Sequence, residues 1–261
     1  MPEGDTIHRS AARLRAALVG KVVRRVRVAR SQGEPPRVGA KIEAVEAVGK
    51  HLLVRFDDGL TLQTHMRMSG SWHLYRPGER WQRPAPTARV VIEVDDWVAV
   101  CFLAPVVRTY REGSGRTPVD HLGVDLCRAD VEIDVAVQRA LTYAGPESEI
   151  ANVLLDQRIA SGIGNVYKSE TLFACRVNPF TARRDLDDTT IRLLYATAAR
   201  LLQANLEGSH RSTLATGGLA VYGRARRPCR ICGTPIERRP QGEQMRVTYW
   251  CPRCQPAIVR C

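Results

Sequence analysis

Near its C-terminus the chain reads Cys229-Arg-Ile-Cys232, then eighteen residues, then Cys251-Pro-Arg-Cys254. No other feature constrains the fold as much. Each Cys-x-x-Cys knuckle puts two sulfurs on one tight turn. Two knuckles at this separation, closed by a hairpin built from "TPIERR" and "MRVTYW", suit a tetrahedral thiolate site for zinc. All four positions are filled by protein, so one Zn2+ is expected, structural rather than catalytic, contributing folding energy. Cys101, Cys127, Cys175 and Cys261 lack such spacing. The first three read as small core residues, and Cys261 has no evident role. The spacing, with no basic-then-apolar leader at the amino terminus, argues against a disulfide framework.

Charge sharpens the reading of that tail. The formal net charge is +12, and about +8 of it lies between Arg211 and Cys261, where ten arginines stand against two glutamates. A solvated basic tail is the plain alternative. A metal-held hairpin carrying this charge points instead to a polyanionic partner. Arginine outnumbers lysine 35 to 4, and the guanidinium fork is the better bidentate partner for phosphate. With 261 residues and 44% hydrophobic content, two packed units with real cores are expected. No apolar run approaches the roughly 18 residues of a membrane helix, so no membrane association and a cytoplasmic location are expected.

Three regions follow one another. Asp5 or Thr6 can cap a helix whose apolar positions Ile7, Ala11, Leu14 and Leu18 form one stripe, with Gly20 as its stop. From about 22 to 104 come short alternating or β-branched runs, "VVRRVRV", "IEAVEAV", "HLLVRF", "LTLQT", "ARVVIEV" and "VAVCFL", divided by turns such as "DDG" and "RPGE". They predict an antiparallel sandwich or flattened barrel. From about 131 to 207 the pattern is helical, clearest in "EIANVLLDQ", "NVYKSETLFA" and "DDTTIRLLYATAARLLQANLEG". The class is α+β multidomain: a β-sandwich domain with a leading helix over 1–120, a helical domain over 121–210, and a zinc-finger region over 211–261 with the finger at about 228–255.

Between two of the helical segments stands "DQRIASGIGNVYKSE". Gly162 and Gly164 flank a short connection, and Asn165 can begin the next helix, whose N-terminal N–H groups and dipole suit a phosphate oxygen. An ordinary interhelical turn explains the glycines equally well.

Taken together, "MPEG" at the start, "GKHLL" in a strand pair, "DQRIASGIGNVYKSE", and "CRICGTPI" with "RVTYWCPRCQ" resemble the formamidopyrimidine-DNA glycosylase and endonuclease VIII family, across essentially the whole chain and in the right order. The resemblance implies a β-sandwich, a helix-two-turn-helix domain and a zinc finger, and a bifunctional enzyme of base excision repair that excises oxidised bases and cuts the abasic strand by β,δ-elimination. It implies that Pro2, freed of Met1, offers a secondary amine that attacks the deoxyribose C1′ and forms a Schiff base. The helix end nearby disfavours the ammonium form of that amine, whereas Glu3 favours it. Glu3 is then the general acid and base. Lys50 matches the family's hairpin lysine at the lesion and its phosphate, Arg246 the finger arginine on the flanking phosphate, and Asn165 the phosphate-binding asparagine. Cys229, Cys232, Cys251 and Cys254 match the zinc ligands.

The base must be flipped out and the void filled. Met68 stands where the purine-directed branch carries its wedge methionine, with a buried core methionine as the alternative. His65 reads as a structural strand histidine. The region "APVVRTYREG" lacks the Arg-Phe-Gly of the purine branch's later loop, leaving Arg108 and Tyr110 as weak counterparts. The "PEG" opening is the endonuclease VIII form, so oxidised pyrimidines are the expected lesions, while Met68 favours oxidised purines. Thr6 replaces a glutamate usual in both branches, and this supports a non-enzymatic alternative, a zinc-ribbon protein that binds damaged DNA. The expected partner is double-stranded DNA with oxidised bases or abasic sites, bound by a monomer associated with the nucleoid.

Overall fold

The computed structural model describes residues 2–113, 115–208 and 210–258; Cys261 and Met1 lie outside them. The chain divides into two compact units, up to Asp120 and from His121 onward.

The first unit opens with helix α1, Gly4–Leu18. Ile7, Ala11, Leu14 and Leu18 are buried along the stripe their spacing defines. The start lies earlier than the capping pattern suggests. Glu3 is the N-cap, in extended conformation, and its carbonyl accepts the N–H groups of Thr6 and Ile7. Asp5 is therefore inside the first turn, where its charge complements the helix dipole. The helix ends before Val19 and Gly20.

Eight strands follow: β1 Arg25–Val28, β2 Ile42–Val48, β3 His51–Phe56, β4 Leu60–His65, β5 Ser71–Tyr75, β6 Ala88–Glu93, β7 Val98–Phe102 and β8 Val106–Arg111. They form two antiparallel sheets of four, ordered β2-β3-β4-β8 and β1-β6-β7-β5. The inward positions of both sheets, among them Ile42, Val54, Phe56, Leu62, Val90, Ile92 and Ala99, make one core with α1. The outer face of the second sheet is apolar as well, and Trp81 from the β5–β6 loop packs with Tyr75, Val91, Val100 and Phe102 there. The segment "VVRTYR" is strand β8, paired along β4 from Leu60↔Arg111 to His65↔Val106. Arg108 and Tyr110 are thus strand residues.

The second unit contains β9 Val124–Asp125, α2 Ile133–Tyr143, α3 Ile150–Leu155, β10 Ala160–Ser161, α4 Asn165–Ala174, α5 Asp188–Gln203, and the hairpin β11 Glu237–Gln241 and β12 Arg246–Trp250. Helix α5 is capped by Asp187, whose carboxylate accepts the Thr190 N–H at 2.7 Å. Leu154, Ile163, Tyr167, Leu172, Ile191, Leu194, Tyr195 and Leu202 form the helical core. The two-residue strands β9 and β10 pair in parallel and tie the unit's entry to the connection before α4. Cys101 and Cys127 are buried, as core residues should be, and Cys175 is half-buried at the end of α4.

Candidate active site and nucleic-acid interface

At the start of α1, Pro2 is half-buried and Glu3 and Asp5 are fully buried. The Asp5 carboxylate accepts the Thr6 hydroxyl at 3.3 Å and the Arg9 guanidinium at 3.4 Å. A buried carboxylate thus remains in the first turn of α1 although position 6 holds threonine.

In the same unit, antiparallel pairing gathers a second group at one end of the first sheet. Val48 pairs with His51, so Gly49 and Lys50 form the two-residue turn between β2 and β3. His51 lies opposite His65 across β3 and β4, and their rings meet edge to face at 4.7 Å. The Gln63 amide donates to His51 Nδ1 at 2.5 Å, and the Arg67 N–H donates to His65 Nδ1 at 3.1 Å. Burial first, then the charges of Lys50 and Arg67, lower the His65 pKa to about 4. His65 is therefore neutral at pH 7, with its proton on Nε2, in the middle of a cationic corner. That places it among the functional candidates, a role the sequence reading did not give it; the only signal was its position two residues before Arg67-Met68.

The β4–β5 connection presents Met68. Met66 is buried and Met68 is 71% exposed, so Met66 is the core methionine of the pair. The turn closes through the Gly70 N–H to the Met66 carbonyl at 2.8 Å. A Cβ on Gly70 would stand 2.8 Å from Met66 Cα, so any larger residue would open the turn that projects Met68.

In the second unit the connection before α4 is zipped by Gln157. Its amide donates to the carbonyls of Leu155 and Ile163, and its oxygen accepts the Gly162 N–H. Gly164 is the N-cap and supplies no side chain. Asn165, the first helical residue, is buried; its Nδ2 donates to the Val247 carbonyl of β12 at 2.7 Å, and its Oδ1 has no protein partner. Three residues on, buried Lys168 donates to the Thr248 hydroxyl at 2.7 Å. Arg246 begins β12 opposite Gln241, half-buried, with its Nε on the Gln244 side chain at 2.9 Å. The hairpin tip is fixed by Gly242, at φ 67°, where a Cβ would meet the Asn152 side chain at 2.6 Å.

The four cysteine sulfurs lie within 4.8 Å of one another. Individual separations are 3.8 Å for Cys229–Cys254, 3.5 Å for Cys232–Cys251 and 3.4 Å for Cys232–Cys254. Four sulfurs about 2.3 Å from a tetrahedral zinc stand about 3.8 Å apart, so the cluster fits that ion. The N–H groups of Ile231 and Cys254 point at the sulfurs of Cys229 and Cys251, as knuckle geometry requires. Burial, then neighbouring thiols, push Cys254 up; a central dication would offset that cost and hold the thiolates.

Glu170, on α4, is a further residue whose part the sequence does not announce. Fully buried, its carboxylate accepts the N–H groups of Ala220, Val221 and Tyr222 at 2.8–2.9 Å and the Thr213 hydroxyl. It folds the segment leading to the finger onto α4. An acid in the middle of a helical run, six residues after Gly164, was the available signal.

A sandwich headed by Pro-Glu, a glycine-bounded helix start and a four-cysteine hairpin together define a DNA repair enzyme class, and the chain belongs to the formamidopyrimidine-DNA glycosylase family. The family models for the formamidopyrimidine-DNA glycosylase N-terminal domain and H2TH domain match residues 1–106 and 122–216. The chain is 41% identical to the probable endonuclease 8 2 of Streptomyces coelicolor, over 98% of this chain and 94% of that one. It is 38% identical to the DNA-(apurinic or apyrimidinic site) lyase Nei2 of Mycolicibacterium smegmatis, over 98% and 100% of the two chains. The crystal structure of the MutM (Fpg) protein from Thermus thermophilus superposes with a TM-score of 0.80 at 28% identity, covering 97% of this chain and 98% of that one. Among the described residues no helix is long and apolar enough to cross a membrane.

Proposed function

We propose that the protein is a bifunctional DNA glycosylase and abasic-site lyase that removes oxidised bases, pyrimidines foremost, from duplex DNA. The observation that carries this reading is the Pro2-Glu3 pair at the head of α1, with Glu3 buried as the N-cap, in a chain of this family.

Removal of Met1 leaves Pro2 with a secondary amine. Its lone pair attacks C1′, the glycosidic bond breaks with its electrons on the departing base, and the base takes up a proton. Glu3 protonates O4′ as the sugar opens, leaving an iminium between C1′ and Pro2. Loss of the C2′ proton expels the 3′ phosphate, loss of the C4′ proton expels the 5′ phosphate, and water releases the sugar fragment from Pro2. Lys50 and the neutral His65 stand at a corner suited to the lesion strand, and Asn165 and Arg246 grip its phosphates. Met68 fills the space left by the flipped base. Cys229, Cys232, Cys251 and Cys254 would hold one Zn2+, whose role there would be structural, to fix the hairpin. The protein works as a monomer, on cytoplasmic, nucleoid DNA.

The test incubates the processed protein with an abasic duplex and borohydride, beside Pro2→Gly and a form that retains Met1. A reduced protein–DNA adduct from the processed form alone supports the reading. DNA binding with no adduct from any form refutes it in favour of a damage-binding protein. The exposure of Met68 favours a second lesion class, oxidised purines, and duplexes carrying thymine glycol, dihydrouracil or 8-oxoguanine separate the two.

A further inference from the structure

We propose that Lys168 is a positioning residue that sets the register of β12 against α4, and so aims Asn165 and Arg246 at the same DNA strand; this rests on the function proposed above. Lys168 lies one turn beyond Asn165, and both side chains leave the same face of α4. Asn165 donates to the Val247 carbonyl and Lys168 to the Thr248 hydroxyl, each at 2.7 Å. Two neighbouring positions of one helix are thus bonded to two successive residues of β12, immediately after Arg246. The Thr248 hydroxyl donates in turn to Gln241 Oε1 at 2.5 Å, and Gln241 Nε2 donates to Glu149 at 2.7 Å and to the Pro179 carbonyl at 3.1 Å. Gln241 is the cross-strand partner of Arg246. The bonds that begin at Lys168 therefore run through the residue opposite the arginine they orient and anchor it to Glu149 and the Pro179 carbonyl.

The choice of lysine argues for this role. The residue is 1% exposed and sits in the first half of α4, where the helix dipole is positive. A buried ammonium there is unfavourable both for its desolvation and for the field it meets. Methionine would occupy similar space without either penalty. What the ammonium adds toward β12 is a bond to one particular oxygen, the Thr248 hydroxyl. Side chains alternate along a strand, so a one-residue slip of β12 would carry Thr248 away from Lys168 and turn Arg246 to the opposite face. Few apolar side chains on the hairpin oppose such a slip, since its buried strand residues are Gln241, Thr248 and Trp250.

The experiment uses the full zinc-loaded chain and a duplex carrying a tetrahydrofuran abasic analogue, with affinity measured over a range of salt and borohydride trapping followed against DNA concentration on the reactive abasic duplex. Lys168→Met and Thr248→Val are expected to keep one zinc per chain, to weaken binding by about tenfold or more, and to lower the slope of log affinity on log salt by about 1. The DNA concentration at half-maximal trapping rises, while the maximal trapping rate stays within about twofold. A buried lysine touches no phosphate itself, so a change in salt slope reports the residues it aims. Thr248→Ser, which keeps the hydroxyl, restores wild-type behaviour, and Lys168→Met adds nothing in an Arg246→Ala, Asn165→Ala background. An unchanged salt slope, full additivity, or a Thr248→Ser variant as weak as Thr248→Val overturns the proposal. If Lys168→Met does not fold, the two Thr248 variants decide. If Arg246→Ala and Asn165→Ala bind as wild type, the phosphate-gripping reading itself fails and takes this proposal with it. If they weaken binding and Lys168→Met does not, the positioning role alone fails.

Discussion

Two β-hairpins present candidate DNA-binding residues, and they are held in opposite ways. The β2–β3 hairpin that carries Lys50 buries Ile42, Val45, Leu52, Leu53, Val54 and Phe56, and belongs to a four-stranded sheet. The β11–β12 hairpin that carries Arg246 is a two-stranded sheet in which β11 is exposed except at Gln241. An isolated two-stranded hairpin is marginal in water. This one is secured by the four cysteines at its base, by a small cluster of Phe173, Ala220, Val221 and Ile236, and by hydrogen bonds to α3 and α4. The first hairpin is fixed by hydrophobic area, which is strong but non-directional. The second is fixed by directional bonds, each specific to one atom. A side chain can be aimed by either means, but only the second leaves nearly all of a strand's surface available to a partner.

The largest effect separates the two hairpins directly. Chelation of zinc, or Cys251→Ala, should abolish amide protection in β11 and β12 while the β2–β3 turn keeps its own, because structural zinc supplies on the order of 10 kcal/mol to such a site. Hydrogen exchange measures this, and retained protection at Val247 and Thr248 without metal would show that hydrogen bonds suffice. Next in size, Phe56→Ala in the first core should cost about 3–5 kcal/mol in denaturant unfolding, with zinc stoichiometry unchanged. A loss under about 1 kcal/mol would mean that the first hairpin does not depend on its buried area as argued.

The corner beside Lys50 adds a pH dependence of its own, carried by a histidine rather than by thiolates. His65 has a folded pKa lowered to about 4, against about 6.5 for an unperturbed histidine. The folded state thus prefers the neutral ring. The resulting stability is complete above about pH 6.5 and is lost as pH falls toward 4. Allowing for partial solvent screening, the loss is on the order of 2 kcal/mol. His65→Gln should flatten the stability curve over that window when compared with wild type by urea denaturation. Parallel curves would remove His65 from the account.

Legibility in the sequence follows the same division. Tetrahedral metal ligation dictates residue type and spacing together, so the clustering of the four cysteines could be read directly. The α1 stripe and six of the strands were legible because burial imposes a period. Strand β8 was not: Arg108, Tyr110 and Arg111 leave its pattern too polar at an edge position, and pairing with β4 decides it. Strand β5, Ser71–Tyr75, has no β-branched residue and carries Ser71 and His73 among its five, so its composition did not announce a strand, and pairing with β7 decides it. The helix start moved because Glu3 serves as the cap through its backbone, which no side-chain preference announces. Lys168 and Glu170 were invisible for a related reason. A charged residue in a helical pattern reads as solvent-facing, and only the packing of the finger segment onto α4 turns both inward.

Met68 gives the smallest expected effect on stability and the finest test of the comparison. Two methionines stand two residues apart, and sequence alone could not say which was structural. Burial assigns the packing role to Met66, while Met68 is 71% exposed on a turn that Gly70 keeps tight. Met68→Ala should change unfolding stability by less than about 0.5 kcal/mol, whereas Met66→Ala should cost about 2–5 kcal/mol. On DNA the ranking should reverse for Met68. Inserting an apolar side chain matters only when a base must leave the stack, so excision from a duplex carrying an oxidised base should fall well below wild type. Trapping on an abasic duplex, which has no base to extrude, should be nearly unaffected. Equal losses on both substrates would make Met68 a general DNA contact, and no loss on either would return it to the exposed surface as an ordinary residue.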